Sequence, residues 1–178
     1  MAQSLSCRYK EAFTKQSCHT WASRRSVVEP QSAAGPGQLI IKVAGFINKK
    51  KKRSAYVYEA INPQGVCVFF GVNSIVARTA TGCLLEAVVE ASLTTTAHNL
   101  QQILFLSDCR GLIRTFNNRR ASDWQDTTRL ADLNFLVQVG FLCKVIVVPP
   151  LLVNYISVVA KQETLVPLNQ CWFNPAFV

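Results

Sequence analysis

The sequence predicts an α/β layer fold built on a five-stranded mixed sheet flanked by helices. Three observations lead there. Branched and aromatic residues dominate three runs between Leu39 and Val72, joined by short polar connections, as in a strand meander. The apolar period then shifts to helical spacing in GCLLEAVVEASL. Beyond it, the compact apolar runs ILFL and FLCKVIVV alternate with further helical patterns, and alternation of strands with helices is the mark of a layered α/β sheet.

Taken in order, LIIKVAGFI is the first strand and SAYVYEAI the second, with KKKKR turning between them. Asn62-Pro63-Gln64-Gly65 has turn chemistry, and VCVFFGV follows as the third strand. In the first helix Leu84/Leu85, Val88/Val89 and Leu93 recur on one side. Glu86 and Glu90, four apart, read as a solvated stripe on the other. ILFL is strand four and ends at Asp108; the Cys109–Asn117 region is a short helix. NNRRASDWQD is a loop, TTRLADLNFLVQ a helix, FLCKVIVV strand five, stopped by Pro149-Pro150, and LLVNYISVVAK the final helix.

The 178 residues fit one domain, 38–178, preceded by a basic arm or linker, 1–37, that ends in QSAAGPG and carries Trp21 as its one large anchor. The net charge of +9 is localised. Up to Arg53 there are eleven basic residues against Glu11 and Glu29; after it, eight face eight. Such an arm attracts a polyanion through salt-dependent contacts that do not read sequence. The seven cysteines are scattered without a C-x-x-C pair, which argues for reduced thiols in an intracellular protein, nuclear or cytoplasmic, rather than a disulfide frame or zinc site. The first thirty residues hold no continuous apolar core of a secretory signal, although their Ser and Arg content faintly resembles a transit peptide. The apolar stretch Val145 to Ala160 is broken by the proline pair and too short to span a bilayer, so no membrane role is expected.

A family resemblance rests on an ordered set of pieces. IKVAGFINKKKKRSAYVYEAINPQGVCVFFGV, LEAVVEASL, LSDC, and VIVVPP followed by VVAK resemble the ribonuclease H (RNase H) type-1 domains of plant retroelement-derived proteins, the kind associated with non-LTR reverse transcriptases. The likeness covers roughly 38–178. It implies the RNase H-like three-layer fold, with three antiparallel strands followed by two parallel ones. It also implies the family activity: Mg²⁺- or Mn²⁺-dependent endonucleolytic hydrolysis of the RNA strand in an RNA–DNA hybrid. That chemistry uses two ions about 4 Å apart to clamp the attacking water and the leaving oxygen. Several converging carboxylates offset the repulsion between the ions, and Mg²⁺ takes oxygen ligands.

Matched residue by residue, this chain is a degenerate copy. Asp108 falls on the family's strand-four acid. The strand-one Asp falls on Ala44, the first-helix Glu on Leu84, and the last-helix acid or His near Ser157, while Pro150 stands where the family often has Arg. Glu86 is a weak substitute, since two residues along a helix turn it about 200° away. Asp108 is then either a residual ligand for Mg²⁺ or an inherited acid capping the following helix.

Other readings stay open at this level. Lys49, Lys50, Lys51, Lys52 and Arg53 form an import signal or a solvated turn that touches phosphate. Arg119 and Arg120, with Trp124, grip a nucleic acid strand or lie in a plain loop with one packed Trp. Asn48 and Asn73-Ser74 approach a minor groove if the family's habit holds. His98 is a surface residue near the first helix's end, and His19 lies in the arm. Three functions follow. The first is an RNase H type-1 domain with catalysis weakened or lost. The second is a non-catalytic module binding RNA–DNA hybrid or other nucleic acid. The third is a protein-interaction module. A monomer is expected.

Overall fold

The computed structural model describes residues 38–98, 100, 102–121, 123–167 and 169–177. The basic arm 1–37, with Trp21 and His19, lies outside them. The strands are β1 (Gln38–Asn48), β2 (Arg53–Ile61), β3 (Cys67–Ile75), β4 (Gln102–Ser107), β5 (Leu142–Val147) and β6 (Gln170–Phe173). The helices are α1 (Ala80–Ala97), α2 (Arg110–Asn118), α3 (Trp124–Gln138) and α4 (Asn154–Glu163), with short 3-10 turns at Pro150–Leu152 and Pro175–Phe177.

The strands form one mixed sheet in the order β5-β4-β1-β2-β3-β6. β1, β2 and β3 are an antiparallel meander; β4 and β5 run parallel to β1. The sheet therefore has six strands, not the five expected. The sixth, QCWF, adds antiparallel to β3 and is pinned by Asn174, whose backbone N–H donates to the Val68 carbonyl at 2.8 Å and whose side chain donates to the Cys67 carbonyl at 3.1 Å.

The meander turns have local causes. The Asn62 side chain accepts from the N–H groups of Gln64 and Val66, and Gly65 takes the positive φ (79°) that closes the turn. At the basic turn the Asn48 side chain accepts from Lys51 N–H at 3.2 Å, and Lys52 adopts φ 50°.

Helices cover both faces. The backbone of Gly45 faces Cys83 and Leu84 of α1, whereas the adjacent Phe46 ring lies under the Lys161 ammonium of α4, 5.9 Å away. Neighbouring strand residues point to opposite faces, so α1 and α4 lie on opposite sides and the domain has three layers. α1 starts at Thr79, whose hydroxyl accepts from Gly82 N–H, and it is wedged among β1, β2, α2 and α3. Its buried residues, from Cys83 to Thr95, therefore occupy most of its circumference. Burying a Leu or Val side chain there contributes on the order of 2 kcal/mol. Among the described residues no helix is long and apolar enough to cross a membrane.

Candidate active centre and nucleic-acid interface

The parallel pairing of β1 with β4 fixes which residues meet at the lip of the sheet. Lys42 pairs with Leu106. The β1–β4 pairing ends there; Ala44 lies two residues further along β1, and Asp108 follows directly after the last residue of β4, Ser107. Asp108 is exposed. The expected helix cap is absent: Cys109 holds the N-cap position of α2 without a side-chain cap, and Cys109 N–H donates to the Ser107 hydroxyl at 3.3 Å instead. The Asp108 carboxylate makes no hydrogen bond or ion pair with the described residues.

The neighbouring positions are dry. Ala44 is 2% exposed and Leu84 is 3% exposed. A methyl added at Gly45 would meet Cys83 Sγ at 3.2 Å and Leu84 at 3.4 Å, so α1 offers β1 a thiol and a leucine here. Burial pushes the Cys83 thiol up to about 12 and keeps it neutral. Ser157 on α4 donates its hydroxyl to the Val153 carbonyl at 2.9 Å.

The two helix glutamates do not form a solvated stripe. Glu86 turns to α3, where it pairs with Arg129, which also lies 3.6 Å from Asp132. Burial raises its carboxyl, partly offset by that guanidinium. Glu90 turns to the sheet and accepts from the phenols of Tyr56 and, at 2.9 Å, Tyr58. The stripe failed as a reading because a helix wedged among four elements has no wide solvent face for its acids. Burial, then Glu90's charge, pushes both phenols well above their ordinary range. The Tyr58 ring also lies so close over Gly71 that any Cβ there would overlap it.

The basic groups fall into two separate places. Lys49, Lys50, Lys51, Lys52 and Arg53 are all exposed, at the same end of β1 as Ala44 and Asp108. From Ala44 to Asn48 is about 13 Å of strand. Arg119, in a left-handed conformation after α2, places its guanidinium 4.5 Å from the Phe116 ring centre and acts on the Cys143 thiol. Cys143 is level with Ile103 and so with Leu39, roughly 30 Å of strand from Asn48. Arg119 and Arg120 are thus not joined to the lysine turn. Trp124 is not the packed anchor of a loop: it is the first residue of α3 and is 70% exposed. It borders a cavity of about 250 Å³ that Arg78, Thr79, Glu86, Asp123 and Asp126 also line. Asn48 and Ser74 serve internal bonds, Asn48 donating to Thr164 Oγ1 at 3.4 Å and Ser74 N–H donating to Asn169 Oδ1 at 2.8 Å. His98 is exposed and its ring lies 4.7 Å from that of Phe173.

Solved structures share this arrangement of strands and helices. RNase H1 from the halophilic archaeon Halobacterium salinarum superposes with a TM-score of 0.63 at 15% identity, covering 72% of this chain and 98% of that one. The N-terminal RNase H domain of a Mycobacterium tuberculosis protein gives 0.64 at 10% identity, covering 71% and 93%. This chain has an RNase H-like fold. LC11-RNase H1, solved in complex with an RNA/DNA hybrid, gives 0.61 at 11% identity over 70% of this chain and 94% of that one. No protein-family model matches the chain. No curated protein sequence matches it either.

The residues present do not fit the two metal ions that RNase H chemistry needs. The donor set at the matched positions is one carboxylate, one methyl, one isobutyl group and one hydroxyl already donated to a carbonyl. Among the described residues no group of three or more His, Cys, Asp or Glu is placed to hold a metal ion. Glu86 does not supply the deficit, because it faces Arg129 on α3 while Leu84 is the residue beside β1.

Proposed function

We propose that this RNase H-like domain binds nucleic acid, with RNA–DNA hybrid its family ligand, and that two-metal hydrolysis is lost from it. The observation that supports the reading is the character of the matched positions: Ala44 and Leu84 are 2% and 3% exposed, and among the described residues no group of three or more His, Cys, Asp or Glu is placed to hold a metal ion. A pair of dications needs several carboxylates between them. One exposed carboxylate, with a dry methyl and a dry leucine at the other matched positions, does not provide that. Binding is supported by the lysine turn at the same lip and by the excess charge in the first 53 residues. The ordered sequence pieces support descent from a retroelement RNase H domain.

The test has two arms. A labelled RNA–DNA hybrid incubated with Mg²⁺ or Mn²⁺ stays intact with the parent and with Asp108→Asn alike; cleavage that disappears in Asp108→Asn overturns the loss of hydrolysis. In the second arm the parent binds hybrid with an affinity that falls linearly on a log–log salt plot, by about 0.9 per phosphate contacted. Lys50→Glu with Lys51→Glu weakens binding and flattens that slope. Absence of binding at low salt removes the nucleic-acid role and leaves a protein-interaction scaffold.

A further inference from the structure

We infer that divalent cations weaken nucleic-acid binding by this domain instead of supporting it, and that Asp108 acts against the bound backbone. The inference rests on the binding role just proposed and concerns the same lip of the sheet. In a working two-metal centre the acids and the ions form one unit: the ions cancel the acids' charge and hold the substrate's phosphate. Here that unit is broken unevenly. The matched positions on β1 and α1 are apolar and buried, Ala44 at 2% and Leu84 at 3% exposure. The acid itself remains exposed.

No hydrogen bond or ion pair from the described residues reaches its carboxylate. The lysine turn does not cancel it. The turn begins at Asn48, six residues beyond Lys42, where the β1–β4 pairing ends, and surface charges more than about 8 Å apart are largely screened at physiological salt. A polyanion drawn to the lysines and laid along this end of the sheet passes a bare carboxylate. At about 6 Å in a water-like dielectric the repulsion corresponds to about three-fold in affinity per phosphate. Among the described residues Mg²⁺ has no carboxylate set to join, so its action is on the nucleic acid, where it competes with lysine for phosphate.

The experiment measures anisotropy of a labelled RNA–DNA hybrid against the full 178-residue chain at fixed ionic strength, with EDTA or with Mg²⁺. Affinity is expected to fall several-fold with Mg²⁺, in the parent and in Asp108→Asn alike. Asp108→Asn is expected to bind about three-fold tighter than the parent in EDTA. Asp108→Ser is expected to repeat that gain, which separates charge from shape. Mg²⁺ that tightens parental binding but not that of Asp108→Asn overturns the inference while leaving nucleic-acid binding in place. Unchanged or weaker binding by both variants in EDTA also overturns it. No binding by the parent at low salt removes the role proposed above, a result distinct from either.

Discussion

Two parts of α1 meet the sheet in opposite ways. At Leu84 the helix presses an isobutyl group and the Cys83 thiol against β1, and the contact is dry. Six residues later, about 9 Å along the axis, Glu90 inserts a carboxylate between the phenols of Tyr56 and Tyr58. Elsewhere on the sheet Glu59 faces the Lys42 ammonium at 3.0 Å, with both side chains under 15% exposed. The domain therefore does hold carboxylates away from water. The inward-facing ones among the described residues accept from phenols, an ammonium, a guanidinium or a backbone N–H. A buried acid satisfied by fixed donors is tolerable, whereas one that waits for a metal repels its neighbours until the metal arrives.

Variants can break or sharpen that contrast. The largest effect is expected from Glu59→Ala, which removes the carboxylate facing Lys42 and costs about 3 to 4 kcal/mol of unfolding free energy. The double replacement Lys42→Met with Glu59→Leu recovers most of it; urea unfolding reads both. Next is Ala44→Asp, which puts an acid at a dry position on β1. A carboxyl raised by about two units there costs about 3 kcal/mol at pH 7. The loss shrinks at pH 4, where the acid is protonated, and no hybrid cleavage is expected from the variant. If Ala44→Asp is neutral at pH 7, the position is wetter than its burial implies and the contrast fails. Glu90→Leu leaves two phenol hydrogens without their acceptor, for about 2 kcal/mol, and Glu90→Gln costs less.

The smallest effect is a pH dependence. Burial raises Glu86 above 4.5 and Asp126 above 3.8. The folded chain then holds these two protons more tightly than the unfolded chain. Their contribution to stability is full below about pH 4 and is lost as pH rises through the raised folded values. Thermal unfolding of Glu86→Gln with Asp126→Asn follows a flatter pH profile across that window.

The sequence made the layer order legible because each element carries its own period. The shift from the meander to α1, and the strand ending at Asp108, are written in local spacing. The parallel pairing of β1 with β4 was reachable only through the family likeness, since it spans some sixty residues and leaves no local mark. β6 escaped because QCWF is four residues long, lacks alternation and follows the proline-bearing LVPLN. Glu90 was misread because helical spacing says which residues share a side but not what packs on that side. Trp124 was misread for the reverse reason: size alone suggested packing, yet its place at the start of α3 leaves it in solvent.

Lys52 carries one more consequence. Its backbone sits at φ 50°, a conformation that glycine or asparagine adopts at less cost and that strains a longer side chain by about 1 kcal/mol. Main chain and side chain thus have opposed interests at the tip of the hairpin. Lys52→Gly should yield a hardier but less adhesive domain, and a gain in melting temperature accompanied by weaker retention on heparin would show ruggedness and grip being traded at a single residue.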